Sequence, residues 1–247
     1  MRFGRPAARP EAVAERAAPD LGIELAGVHH AYGERVVLDG LDLRLTQHRI
    51  GVVGANGSGK STFARLLNGL VVPTAGRVLV DGLDTRTAVR EVRRRVGFVF
   101  QDPDAQIVHP TVAEDVAYGL ENQGVPADER ATRVAEVLAR YHLAGHADHP
   151  AHLLSGGQKQ LLAIAGVLVM RPARIVFDEP TTLLDLVNAR RIARLIGELP
   201  QSVVVVTHDL DLLDGFERVL VMDAGRVVED GPAEESVAAY RKLMADR

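Results

Sequence analysis

The 247-residue sequence contains no cysteine and no tryptophan, and only 4% of it is aromatic. Without cysteine there is no disulfide, no thiol nucleophile and no thiolate metal site, which suits a reducing compartment. A membrane-length apolar run is also missing. The longest candidates, such as Leu161–Met170, fall well short of the roughly 18 residues a transmembrane helix needs. If the protein serves a membrane process, other chains must supply the span. Nor is there an excess of one charge. The formal net charge is −4 and the isoelectric point about 6.1, so no whole-protein field favours nucleic acid. Residues 1–21 are rich in Ala, Arg and Pro and lack a continuous apolar segment, which argues against a secretory signal and predicts a disordered tail. What remains, 47% apolar and 25% charged, is the composition of an ordinary soluble globular protein with room for one α/β domain.

The most informative segment is Gly54-Ala55-Asn56-Gly57-Ser58-Gly59-Lys60-Ser61-Thr62. It fits the phosphate-loop pattern G-x-x-x-x-G-K-[ST]. Such a pattern can arise by chance as a glycine-rich turn, so the flanks decide. A strand-like run, Ile50–Val53, leads in, and a helix-like segment, Ser61–Leu67, leads out. In that setting the glycines let backbone N–H groups close around phosphates. Lys60 reaches the β and γ oxygens, and Ser61 offers a hydroxyl to Mg²⁺. The helix start adds partial positive charge. The segment is a nucleotide phosphate site.

Strand-like runs recur at Ile23–His30, Asp42–Leu45, Arg77–Val80, Val96–Phe100, Ile175–Phe177, Val203–Thr207, Val219–Met222 and Arg226–Glu229. Ile175–Phe177 and Val203–Val206 are apolar on consecutive positions, as strands covered on both faces of a parallel sheet must be. The early and late runs alternate more and are joined by turn residues such as Asp81-Gly82 and Ala224-Gly225, an antiparallel signature. Between Thr111 and His152 the pattern is helical. Thr111 can cap a helix with Glu114 at the capping-box position, and Ala131–Leu143 carries Val134, Val137, Leu138 and Tyr141 on one face. This block, about 103–170, reads as a helical lobe inserted into an α/β core spanning 22–247.

Arg174-Ile175-Val176-Phe177-Asp178-Glu179 is an apolar strand ending in two carboxylates, at the edge where parallel sheets bind ligands. Asp178 is placed to hold Mg²⁺ through water, and Glu179 to orient and deprotonate an attacking water. Leu154-Ser155-Gly156-Gly157-Gln158 opens the helix Lys159–Met170, and its exposed backbone N–H groups make a second anion site. Two phosphate-binding helix starts about 95 residues apart suggest that each site is completed by another subunit. His146, His149 and His152 lie in a proline-interrupted loop without acidic ligands in register, so a metal reading is set aside. Arg93-Arg94-Arg95 reads as a solvated helix end.

In this order and spacing, from about Ile23 to Val228, the motifs resemble those of ATP-binding-cassette ATPases. The resemblance implies a P-loop NTPase fold with an antiparallel β subdomain and an inserted helical subdomain, and ATP and Mg²⁺ as cofactors. It implies that Tyr32 stacks on adenine and that Gln101 senses Mg²⁺ and water while linking to the helical lobe. Ser155, Gly156, Gly157 and Gln158 would face the γ-phosphate held by the opposite subunit, and Asp185 would lie in the loop joining the two sites. His208 would touch the γ-phosphate and support the attacking water.

The stretch Phe100–Val108 with Pro110–Asn122 is similar to the ATPases of energy-coupling-factor vitamin and metal importers, the cobalt and nickel ATPases among them. There the segment docks against coupling helices of a transmembrane partner. Thr181-Thr182-Leu183-Leu184-Asp185-Leu186 departs from the wider family, which has Gly before Leu-Asp and Pro after it, and is similar to the biotin-transporter ATPases of the group. His48-Arg49 stands where Gly-Glu is usual, a further likeness to that branch. Arg174 replaces a usual apolar residue and reads as a residue at the strand's solvent edge. The resemblance therefore implies an ATPase at the cytoplasmic face of the cell membrane that energises import of biotin, with a cobalt or nickel importer as the alternative. Its partners would be a second copy or a second ATPase subunit, a transmembrane coupling protein and a substrate-binding membrane protein. Nucleic acid is not an expected partner. A soluble chromosome-maintenance ATPase would need a long coiled coil between Lys60 and Ser155, and the chain has no room for one.

Overall fold

The computed structural model describes residues 21–245, so all but Leu21 of the expected tail lies outside the described residues. The strands β1 (Ile23–Tyr32) and β2 (Arg35–Leu45) form a hairpin, followed by β3 (Arg49–Gly54) and α1 (Lys60–Leu66). After β4 (Ala75–Val80) and β5 (Leu83–Asp84), α2 (Val89–Arg95) leads directly into β6 (Val96–Val99). Three helices come next with no strand between them: α3 (Val112–Asn122), α4 (Ala127–Arg140) and α5 (Gly156–Leu168). The chain then returns through β7 (Arg174–Asp178), α6 (Leu186–Glu198), β8 (Ser202–Val206), β9 (Arg218–Asp223), β10 (Arg226–Gly231) and α7 (Ala233–Ala245).

Two sheets result. One is antiparallel, in the order β2-β1-β4-β5; the other has the order β10-β9-β3-β8-β7-β6. In the second, β6 to β9 and β3 run parallel, and only β10 is antiparallel to its neighbour. The late strands thus differ from the antiparallel expectation: Val219–Met222 pairs parallel with β3 and antiparallel with β10. Side-chain alternation splits the core between the sheet's two faces. Val53, Ile175, Phe177, Val203 and Val205 pack on one face with residues of α3 to α6. Ile50, Val52, Val176, Val204 and Val206 pack on the other with α1 and the antiparallel sheet. Burial on both faces is why these strands read as unbroken apolar runs.

Arg174 corrects a sequence expectation. It is 5% exposed rather than at a solvent edge. Its guanidinium donates to both oxygens of Asp81 at 2.9 Å, joining the start of β7 to the turn between β4 and β5. The Asp81 carboxylate also faces Arg95 at 3.3 Å and accepts from the Leu21 N–H at 3.2 Å. Arg95 is therefore engaged, and Arg93, though exposed, donates to the Gly69 carbonyl at 3.0 Å, which leaves Arg94 as the solvated helix end. Arg49 is buried as well. It donates to the carbonyls of Gln201 at 2.8 Å and Gly197 at 3.2 Å and to that of Leu199, tying β3 to the last turn of α6.

Candidate functional site

The parallel strands β3, β7 and β8 end side by side at Gly54, Asp178 and Val206, and the loops that follow them surround a cleft of about 700 Å³. The loop after β3 forms its floor. At Gly59 the backbone takes φ 102°, and an added Cβ would lie 2.8 Å from the Val37 carbonyl oxygen, so only glycine lets α1 start there. The Lys60 side chain curls back over the loop and donates to the carbonyls of Gly54 at 2.8 Å and Ala55 at 3.1 Å. Burial lowers its pKa, and the carboxylates of Glu179 and Asp178 oppose that shift. A buried ammonium held by neutral carbonyls beside open space is suited to an anion.

Asp178 is 2% exposed and accepts a hydrogen bond from the Ser61 hydroxyl at 2.9 Å. Its carboxyl is held above the ordinary range by burial, with the Ser61 hydrogen bond and then Arg65, 4.0 Å away, opposing. Two oxygen donors side by side, one of them a carboxylate short of positive charge, fit a hard divalent cation that keeps several waters. Among the described residues no group of three His, Cys, Asp or Glu could hold a metal without help. Phosphate oxygens and water would have to complete the shell, as expected for Mg²⁺ arriving with a nucleotide.

Glu179, next along the chain, takes φ 52°, a left-handed conformation uncommon for a residue with a side chain. Its N–H donates to the Val206 carbonyl at 2.9 Å, which fixes the turn against β8. The carboxylate Oε2 lies 2.6 Å from His208 Nδ1 and accepts the Thr182 hydroxyl at 3.0 Å. Glu179, His208, Gln101 and Tyr32 all line the same cleft as Gly54, Ala55, Asn56, Gly57, Gly59, Lys60, Ser61 and Thr62. Ser58 lies beneath that loop, with its hydroxyl buried and unpartnered. Tyr32 is half exposed, edge-on to His30 with ring centroids 4.6 Å apart.

Ser155, Gly156, Gly157, Gln158 and Asp185 do not line this cleft. Ser155 and Gln158 form a reciprocal capping box at the start of α5. Gly157 packs so closely on Asn188 that an added Cβ would meet its side chain at 2.5 Å. Asn188 donates in turn to Asp185 at 2.7 Å, and Asp185 caps α6 through the N–H groups of Val187 and Asn188, both at 2.9 Å. Those hydrogen bonds, led by the Asn188 N–H, hold the Asp185 carboxyl below its ordinary range. Leu153, Leu183, Leu186 and Val187 stand exposed around these two helix starts. Sequence reasoning gave no role to Thr182, Arg35, Val37 or Tyr240, all of which line the cleft. Thr182 had a signal, a hydroxyl three residues after the acid; Tyr240, far along on α7, had none.

Residues 38–182 match the ABC transporter family. The chain belongs to that family. Membership makes it an ATPase with a P-loop NTPase fold. It is 63% identical over 90% of its length to a Deinococcus radiodurans protein whose name goes no further than ABC transporter ATP-binding protein, covering 98% of that relative. It is 49% identical to the biotin transport ATP-binding protein BioM of Rhizobium etli, covering 92% of this chain and 100% of that one. Among solved structures it resembles CbiO1 of Clostridium perfringens, described as part of the ABC transporter complex CbiONQ. That match has a TM-score of 0.78 and 34% identity over 92% of this chain and 94% of the other. Among the described residues of this ABC ATPase, no helix is long and apolar enough to cross a membrane.

Proposed function

We propose that this chain is the ATP-hydrolysing subunit of an energy-coupling-factor importer for biotin, working as a homodimer at the cytoplasmic face of the cell membrane. The observation that carries the ATPase chemistry is the convergence of Lys60, Ser61 and the Glu179–His208 pair on one cleft, with the buried Asp178 accepting from Ser61. The likeness to BioM supports the biotin reading, since that relative's name assigns it to biotin transport.

In this reading residues 22–247 form one nucleotide-binding domain, with a helical subdomain at about 103–170. Tyr32 stacks on the adenine, backbone N–H groups of Gly54 to Thr62 and the Lys60 ammonium hold the phosphates, and Ser61, Gln101 and Asp178 would hold Mg²⁺. When bound, Mg²⁺ would neutralise charge on the β and γ phosphates. Glu179 takes a proton from the attacking water, and His208, held by Glu179, keeps that water and the γ-phosphate aligned. Ser155, Gly156, Gly157 and Gln158 point away from their own cleft because they serve the second copy's ATP, and Asp185 carries the contact between the two sites. The exposed Leu153, Leu183, Leu186 and Val187 are the apolar part of that contact.

The segment after Gln101 and the face of α3 toward α2 dock the membrane partner. A cleft of about 260 Å³ lies there, lined by Phe98, Phe100, Val108, Tyr118 and Met170. Purifying the chain from detergent-solubilised native membranes and identifying its companions by mass spectrometry tests the reading. A transmembrane coupling protein and a small membrane protein carrying biotin are expected. A companion that binds cobalt or nickel ions would replace biotin with the metal alternative. Recovery without any membrane companion would overturn the importer.

A further inference from the structure

A second charged region lies at the opposite end of the sheet. Arg171 sits three residues before the first residue of β7 and Gln201 one before β8, whereas the ATP cleft follows the last residues of those strands. Five residues of strand at about 3.3 Å each put the two regions about 15 Å or more apart. Two clefts at this end, of about 180 and 360 Å³, share Arg140, Tyr141 and Leu199, so they adjoin as the two parts of a depression between α4, α6 and the end of α5.

Its walls are basic by design of the helix period. On α4, Arg133 and Arg140 lie seven residues apart and therefore on one face; on α6, Arg191 and Arg194 share a face at i, i+3. Arg171 adds a fifth guanidinium. Two carboxylates, Glu136 and Glu198, also line the depression, leaving cations in excess. Arg133 is engaged by Glu129 on its own helix. Arg140, Arg171, Arg191 and Arg194 have no ion-pair partner among the described residues.

Two features go beyond a solvated surface. Arg171 takes φ 53° just after α5, a left-handed position where glycine or asparagine is usual. An arginine there carries a conformational cost that solvation of its head group does not require. The floor of the depression is Tyr141, 7% exposed, with its phenol pushed up by burial and the Arg140 guanidinium 5.7 Å over its ring. The result is an aromatic base rimmed by planar forks, each able to hold two phosphate oxygens at once. The larger of the two clefts, about 360 Å³, falls in the range of small-molecule sites.

We propose that this depression binds a phosphate-bearing small molecule, at a site separate from the ATP cleft. Arg140 and Arg171 are its main ligands, with Arg191 and Arg194 as the second wall. Because α4 belongs to the helical block and α6 follows the Asp185 loop, a ligand bridging them resists relative movement of those elements. Occupancy would therefore slow ATP turnover without competing with ATP.

The test is calorimetric titration of the full chain carrying Lys60→Ala with inorganic triphosphate, the substitution weakening the ATP cleft as a competing site. A single saturable site is expected. Arg140→Ala with Arg171→Ala should weaken it about tenfold or more, and higher salt should weaken it further. Arg90→Ala with Arg94→Ala removes the same charge from the exposed end of α2 and should leave it unchanged. In the otherwise unaltered chain triphosphate also competes at the ATP cleft and raises KM, so the readout is kcat at saturating ATP. Triphosphate should lower it, and the Arg140→Ala, Arg171→Ala chain should lose that effect while keeping the rise in KM. No binding to the Lys60→Ala chain would overturn the proposal. So would equal loss in both arginine pairs, or binding to anionic phosphatidylglycerol vesicles in the absence of any triphosphate binding.

Discussion

The two ends of the parallel sheet handle buried charge in opposite ways. At the amino end, Arg174 is matched by both oxygens of Asp81, and Arg49 is surrounded by backbone carbonyls. Each buried donor there has an acceptor, which is what a structural ion needs. At the carboxyl end the charged groups of Lys60 and Glu179 instead border an open cleft. Lys60 turns to the carbonyls of its own loop, Asp178 is held above its ordinary pKa by burial, and Glu179 sits in a left-handed turn. The difference teaches where the fold is finished and where it is waiting. Charges are enclosed where they hold the sheets together and face open space where the proposed nucleotide and cation would meet them.

Four changes would break or sharpen that contrast. The largest effect should come from Glu179→Gln, which removes the proposed base and keeps the shape. ATP hydrolysis should fall by about 10²- to 10⁴-fold while nucleotide binding persists, read by phosphate release alongside equilibrium binding. Near-normal turnover would remove Glu179 from the mechanism. Arg174→Met comes next. It leaves the Asp81 carboxylate only the more distant Arg95 and the Leu21 N–H, and should cost up to about 3 kcal/mol in denaturant unfolding. Adding Asp81→Asn should recover part of that, because the buried carboxylate is removed and the charge that loses its partner, Arg95, reaches solvent. Arg49→Met should cost less, about 1–3 kcal/mol, since it strands carbonyls rather than an ion. Lys60→Ala should leave stability nearly unchanged and weaken ATP binding, measured by titration of a fluorescent nucleotide. Unchanged affinity would contradict its role as a phosphate ligand.

What the sequence disclosed follows the range of the interactions involved. The phosphate loop, the capping box at Thr111 and Glu114, and the runs through Ile175–Phe177 and Val203–Val206 depend on neighbours within a few positions, and the structure has a helix or strand at each. Arg174 was misplaced because its partner, Asp81, lies 93 residues away in sequence. The first half of β2 escaped because Arg35–Leu38 is exposed or half-buried except at its last residue, so no apolar face shows. The helix α6 begins with an exposed Leu-Val pair after Asp185, and only the structure shows the Asp185 side chain capping it. The helix α7 gave no warning that it would carry Tyr240 to the ATP cleft. In the cleft, residue types and spacing sufficed to nominate Lys60, Ser61, Asp178 and Glu179. The hydrogen bond between Glu179 and His208 needed three dimensions.

Burial raises the Asp178 pKa, so the folded chain binds that proton more tightly than the unfolded chain does. Without nucleotide, stability should therefore decline as pH rises from the ordinary carboxylate value of 3.8 through the raised one. Asp178→Asn should remove that slope. The most direct test of the contrast is the melting temperature of the unsubstituted and Asp178→Asn chains at neutral pH, with and without Mg²⁺ and a non-hydrolysable ATP analogue. The account predicts that Asp178→Asn raises the melting temperature of the empty chain and loses most of the Mg²⁺-dependent rise given by the analogue. An empty Asp178→Asn chain that melts lower, with its Mg²⁺-dependent rise intact, would show that Asp178 is a structural residue and would contradict the account.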